Sequence, residues 1–159
     1  LASTSDRRAL LKALALAPIA ALASPAQARD YTSAAEVFAE IARLDASVSA
    51  RLGAFAAAVP SAAGLVRSFQ ADHARHRVER ERQLRRLGLR AGASPPAGEA
   101  DASFEGLQTE LEALVYAHAE GVAALGDAVA VDALARHMID LSRQLTVLRL
   151  WQDQEDARG

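Results

Sequence analysis

The chain carries four histidines and no cysteine, and helical spacing turns every one of those histidines toward a core. Apolar residues recurring in steps of three and four mark the inward stripe of a helix. The first stripe reads Ala34, Phe38, Ile41, Asp45, Val48, Leu52, Phe55, Val59, with Asp45 its one polar member. The second reads Val66, Phe69, His73, His76, Arg80, Leu84, Leu87. The third reads Leu107, Leu111, Leu114, His118, Val122, Leu125, Val129, and the fourth Leu134, then His137 or Met138, then Leu141, Leu145, Leu148. Asp45, His73, His76 and His118 fall near the middle of their segments, so antiparallel packing brings them to one level. His137 sits about five residues from its own centre, roughly 7 Å off at ~1.5 Å per residue.

Burying several ionisable groups together is costly unless they pair or bind a metal. Imidazoles and carboxylates suit a single Fe, Zn, Cu or Mn ion. The missing cysteines exclude thiolate metal sites, iron–sulfur clusters, disulfides and cysteine nucleophiles. A metal-free layer is the alternative. Asp72, Glu79, Glu120 and Asp140 are close enough in sequence to hydrogen-bond the imidazoles, and such a layer fixes helix register.

The elements that must carry these residues are all helical. The spacing predicts a helix from about Ser33 to Val59, capped by Thr32 or Ser33 with Glu36 in its first turn, and broken at Val59-Pro60-Ser61. A second runs from about Ala62 to Leu87, stopping at Gly88. A third runs from Ser103 to about Val129 and a fourth from near Asp132 to about Gln152. No segment alternates like a strand, so the fold class is all-α, a four-helix bundle. The Leu89–Ser103 connection holds about 15 residues and reaches roughly 50 Å fully extended. A 26-residue helix is only about 39 Å long, so this connection is long enough to run back along the whole bundle.

Composition narrows the partners. The net charge is −2 over 159 residues. A mildly acidic domain argues against nucleic acid. Arg75, Arg77, Arg80, Arg82, Arg85, Arg86 and Arg90 make the second helix basic, which reads as a solvated face paired in places with neighbouring acids. Trp151 ends the fourth stripe and is expected to cap the core. No phosphate-binding glycine loop and no Ser-His-Asp order is present.

The first residues resemble an export signal. Ser5-Asp6-Arg7-Arg8-Ala9-Leu10-Leu11-Lys12 resembles the twin-arginine motif, with Asp6 standing between the serine and the arginine pair. An Ala/Leu-rich stretch from Ala13 to Ala23 follows, then Ser24-Pro25-Ala26-Gln27-Ala28, an Ala-x-Ala cleavage pattern. The stretch is short, mostly alanine and broken by Pro18, too weak for a stable membrane span. The resemblance implies a signal peptide over 1–28, a bundle domain over 29–159, the twin-arginine translocase as a partner during export, and a bacterial periplasmic location. Loss of Arg7, Arg8 and Lys12 against Asp6 takes the mature charge to about −4.

Helix two, Phe69-Gln70-Ala71-Asp72-His73-Ala74-Arg75-His76-Arg77-Val78-Glu79, resembles the Glu-x-x-His helix of exported ferritin-like proteins. Ala135-Arg136-His137 resembles the second copy, Glu120 the third-helix carboxylate, and Glu40 or Asp45 the first-helix one. The resemblance implies a ferritin-like bundle with metal ligands drawn from Asp45, Asp72, His73, His76, His118, Glu120 and His137. The glutamates of Glu-x-x-His, however, fall on His73 and on Leu134. A di-iron centre needs them as bridging charge; Asp72 is a substitute for one and nothing on helix four replaces the other. The expected function is therefore an exported bundle with a degenerate di-iron motif, holding one metal ion through core histidines or none. The metal-free alternative is a structural or protein-interaction bundle. A homo-oligomer is compatible with either.

Overall fold

A computed structural model describes residues 33–90 and 101–158. The expected signal peptide, its cleavage site and most of the long connection lie outside the described residues. Those described form four helices: α1 Ala34–Ala58, α2 Ala63–Arg86, α3 Phe104–Ala124 and α4 Ala128–Asp156, with one 3-10 turn at Pro60–Ala62.

Local chemistry sets the boundaries. Ser33 Oγ accepts from the Glu36 amide at 3.3 Å and starts α1. Pro60 opens the 3-10 turn where the lost amide costs nothing. Gly88 has φ +70°. That left-handed residue lets the Leu89 amide reach back to the Leu84 carbonyl at 2.8 Å and closes α2. Ser103 caps α3 through the Gly106 amide.

Two expected boundaries move. The break between the third and fourth helices is not at Val129–Asp132 but at Leu125-Gly126-Asp127. Leu125 is extended, and Asp127 caps α4 by accepting from the Ala130 amide at 2.8 Å. A glycine followed by a good N-cap outweighs the apolar rhythm that runs through both helices. Val129 is accordingly half exposed on α4, not a core residue of α3. α4 also runs to Asp156, past the expected Gln152.

α1 packs against α2 and α3, and α4 packs against α3 and α2. Every neighbouring pair is antiparallel. From α1 to α3, Val37 lies near Gly121 while Arg51 pairs with Glu110. From α2 to α4, Asp72 meets Gln144, His76 meets Asp140 and Arg86 meets Asp127. α2 and α3 therefore occupy a diagonal and run parallel. The core is aliphatic, with Val37, Phe38, Ile41, Leu52, Leu107, Leu111, Leu134, Leu141 and Leu148 nearly inaccessible. Gly121 is a point of close helix approach in this core. A Cβ there would stand 2.7 Å from Val37 and 2.8 Å from Leu134, so α3 can approach α1 and α4 this closely only with glycine. Trp151 packs edge-on against Phe55, with ring centroids 5.7 Å apart, and closes one end as expected. Among the described residues no helix is long and apolar enough to cross a membrane.

Candidate functional site

All four histidines are buried, and they form one continuous layer. His73 and His76 stand one turn apart on α2, centroids 6.2 Å apart. His76 stacks on His137 of α4 at 4.1 Å and 22°. His137 meets His118 of α3 edge-on at 5.9 Å. α1 contributes Asp45, which is 5% exposed. His137 is thus level with the others rather than offset. α4 has 29 residues against 21 to 25 in its neighbours, so its own centre does not mark the middle of the bundle.

The hydrogen bonds fix proton positions. His73 Nδ1 donates to Asp45 Oδ1 at 2.6 Å. Its Nε2 is buried with no partner. His118 Nδ1 donates to the Leu114 carbonyl at 2.8 Å. A carbonyl only accepts, so the neutral ring keeps its lone pair on Nε2. His76 Nε2 donates to Asp140 Oδ2 at 3.2 Å. Asp45 is bonded on both oxygens, because Arg80 Nη2 reaches its Oδ2 at 3.1 Å.

Burial governs the electrostatics. It pushes the His118 imidazole down to about 4, against the backbone bond to Leu114, which raises it. It pushes His137 down to about 2, helped by the neighbouring His76, His118 and Arg80. His76 is lowered by burial, with the Asp140 bond opposing. Burial raises the Asp45 carboxyl, but the His73 bond and the Arg80 charge outweigh it and hold it below the usual range. His76, His118 and His137 are therefore neutral near pH 7, the form in which imidazole binds a metal.

The other expected ligands point elsewhere. Asp72 is bonded by Gln144 Nε2 at 3.1 Å and by Arg75. Glu120 is half buried, two residues past His118 and so about 200° around the helix from it. Glu79, a candidate hydrogen-bond partner, is held by Arg82 and Gln83. Among the described residues, no three His, Asp or Glu side chains converge closely enough to hold a metal ion as they stand.

Sequence reasoning placed Arg80 on the stripe but read it with the solvated arginines; it is 7% exposed and inside the layer. The signal was its spacing, four residues after His76 and seven after His73. Gln144, buried with its Oε1 unpartnered, was missed outright. A separate open hollow beside the start of α3 is lined by Arg51, Asp101, Ser103 and Glu110 and holds none of the expected site residues. Set against known protein families, curated proteins and solved structures, the chain gives no match.

Proposed function

We propose that this is an exported, ferritin-like four-helix-bundle protein whose imidazole layer binds one transition-metal ion. The observation that carries the reading is His73 Nε2, a buried ring nitrogen with no partner, on a ring oriented from behind by a carboxylate. Carboxylate–histidine pairs of this kind orient metal ligands and raise their basicity. His73, His76, His118 and His137 are the residues that would hold the ion, after a shift of their rings since no three converge as they stand, with Asp45 orienting His73. A bound ion would supply Lewis-acid or one-electron chemistry. The chain's own contribution is to exclude water, to hold the His118 proton on Nδ1 and to keep its Nε2 lone pair free at neutral pH.

The ferritin-like assignment is supported by the neighbour order. Short hairpins at every turn would set α2 beside α3, whereas a diagonal, parallel α2 and α3 require a connection that returns along the bundle. The Leu89–Ser103 stretch has that length. Export is supported by the Arg7-Arg8 motif and the Ala26-Gln27-Ala28 pattern, and implies a periplasmic protein. The carboxylates are too few for a di-iron pair.

A metal-free structural or interaction bundle is the second reading. It is favoured by the pairing of both Asp45 oxygens, one with His73 and one with Arg80, which ties α1 to α2 and can fix helix register without a metal. Elemental analysis of protein purified without chelator, followed by zinc titration, separates the two. On the metal reading His118→Ala sharply lowers zinc affinity. Absence of binding at millimolar zinc, together with a His76→Leu variant as stable as wild type in chelator, would leave only the second. For export, replacing Arg7 and Arg8 by Lys is expected to abolish transport; unchanged accumulation outside the cytoplasm would overturn the signal assignment.

A further inference from the structure

Among the described residues five large hydrophobic side chains are exposed, and four of them, Val129, Ile139, Val147 and Leu150, lie on α4. They are 42% to 56% exposed. At about 100° per residue they fall within roughly 80° of one another, on the side of α4 turned away from the buried Leu134, Leu141 and Leu148. α4 therefore carries an apolar stripe on each side. Single exposed hydrophobics are ordinary on a surface, whereas a row along one helix marks a contact. Between them stand Asp132, Arg136 and Arg143, all exposed, and Asp140, partly so.

The order of these residues identifies the partner. An interface between two identical chains needs residue i on j and j on i. If two α4 helices pack antiparallel with the twofold axis level with Met138, Val129 meets Val147 of the second copy. Asp132 then meets its Arg143, Arg136 meets its Asp140, and the two Ile139 side chains adjoin. Val129 and Val147 are about five full turns apart, so they point the same way. Every pair is apolar on apolar or opposite in charge. A parallel arrangement would set Asp132, Arg136 and Arg143 each against its own copy. An antiparallel one centred on Arg143 would oppose the two arginines there. Asp140 has room for a further donor, because His76 holds its Oδ2 at 3.2 Å while Arg143 stands 3.7 Å from its Oδ1. Arg136 is already paired with Asp132 along the helix, so the contacts across the axis join these pairs into one network.

We propose that the outer face of α4 binds a second copy of this chain, with the two α4 helices antiparallel about a twofold axis level with Met138. One helix face of this length buries roughly 1,000 Å² in all, at the low end for specific interfaces, so the dimer is weak and exchanging. It does not depend on a metal in the imidazole layer, which faces the other side of α4.

Sedimentation equilibrium in chelator, from micromolar to millimolar chain, tests the proposal. Wild type is expected to pass from monomer to dimer with a micromolar Kd and no larger species. Arg143→Glu and Asp132→Arg each set like charges against one another across the axis, and each alone is expected to weaken the dimer about tenfold or more. An equimolar mixture of the two variants restores opposite charge at both contacts and should associate as tightly as wild type. Ile139→Asp should abolish association. All three positions are exposed, and circular dichroism checks that the fold is kept. Wild type that stays monomeric at millimolar chain leaves the face to solvent or to a different protein and overturns the proposal. So does a dimer that survives Ile139→Asp, assembly beyond the dimer, or a mixture that associates no better than its components.

Discussion

α3 and α2 face one another across the bundle and are held by different physics. α3 buries Leu107, Leu111, Leu114, Val115 and Val122 against α1 and α4, with His118 its one buried ionisable group. α2 buries seven residues, of which His73, His76, Arg80 and Gln83 are polar. Its seam with α4 is crossed by Asp72–Gln144, His76–Asp140 and Arg86–Asp127. Packing is insensitive to protonation, whereas a polar seam is only as good as its charges. The aliphatic part of α3 should therefore track side-chain volume, and the imidazole layer with the α2–α4 seam should track pH.

The largest expected effect breaks the apolar side. Phe38→Ala, at a residue 1% exposed, should cost about 4 kcal/mol. Urea denaturation at pH 7.5 and at pH 5.5 should give the same loss at both. A loss that changes with pH would show that the apolar seam is coupled to the imidazole layer.

Acid should act next, through the imidazole layer that α2, α3 and α4 share. In chelator, His118 and His137 have folded values of about 4 and about 2, below the usual histidine value. As pH falls through the unfolded value near 6.5, the unfolded chain takes up protons that the folded one refuses. Stability is therefore lost downward from that pH, at about 1.4 kcal/mol per unit for each ring. Between pH 6.5 and 5.5 the two together should cost roughly 2 kcal/mol, because the full slope is reached only well below the unfolded value. Hydrogen exchange should show protection falling first around His118 on α3 and His137 on α4. A flat profile would mean that the layer admits water or protons freely.

Gly121→Ala sharpens the packing side. The new methyl meets Val37 and Leu134 inside contact distance, so overpacking should cost about 2 kcal/mol, read by thermal unfolding. A neutral result would show that α3 can slide. Asp140→Asn is the smallest change. Asp140 is about one-third exposed, so weakening its bond to His76 should cost about 1 kcal/mol. The expected signature is faster hydrogen exchange confined to α2 and α4.

Four helices, their inward faces and the placing of Asp45 and all four histidines on those faces were legible in the sequence. Period 3.6 is a local property, and caps such as Ser33 and Ser103 are local chemistry. Periodicity also explains the displaced break between α3 and α4. Leu125 and Val129 continue an apolar rhythm across a true break, and only the cap at Asp127 marks it.

Which groups touch was not legible. Periodicity fixes the face of a residue, but not its height relative to a neighbouring helix. His137 stacks on His76 because α4 is long and its centre is not the centre of the bundle. Asp72 and Glu120 looked like ligands by order in the chain, yet Asp72 is taken by Gln144 and Glu120 turns about 200° from His118. Arg80 looked like one more surface arginine until the position of Asp45 on another helix gave it a buried partner. The sequence determined the helices, their apolar stripes and an imidazole supply turned inward, because these depend on residues a few positions apart. The tertiary structure decided which imidazole keeps an unpartnered nitrogen and which cation sits on Asp45. Those depend on how far each helix slides and turns before the apolar side chains around Gly121 lock it.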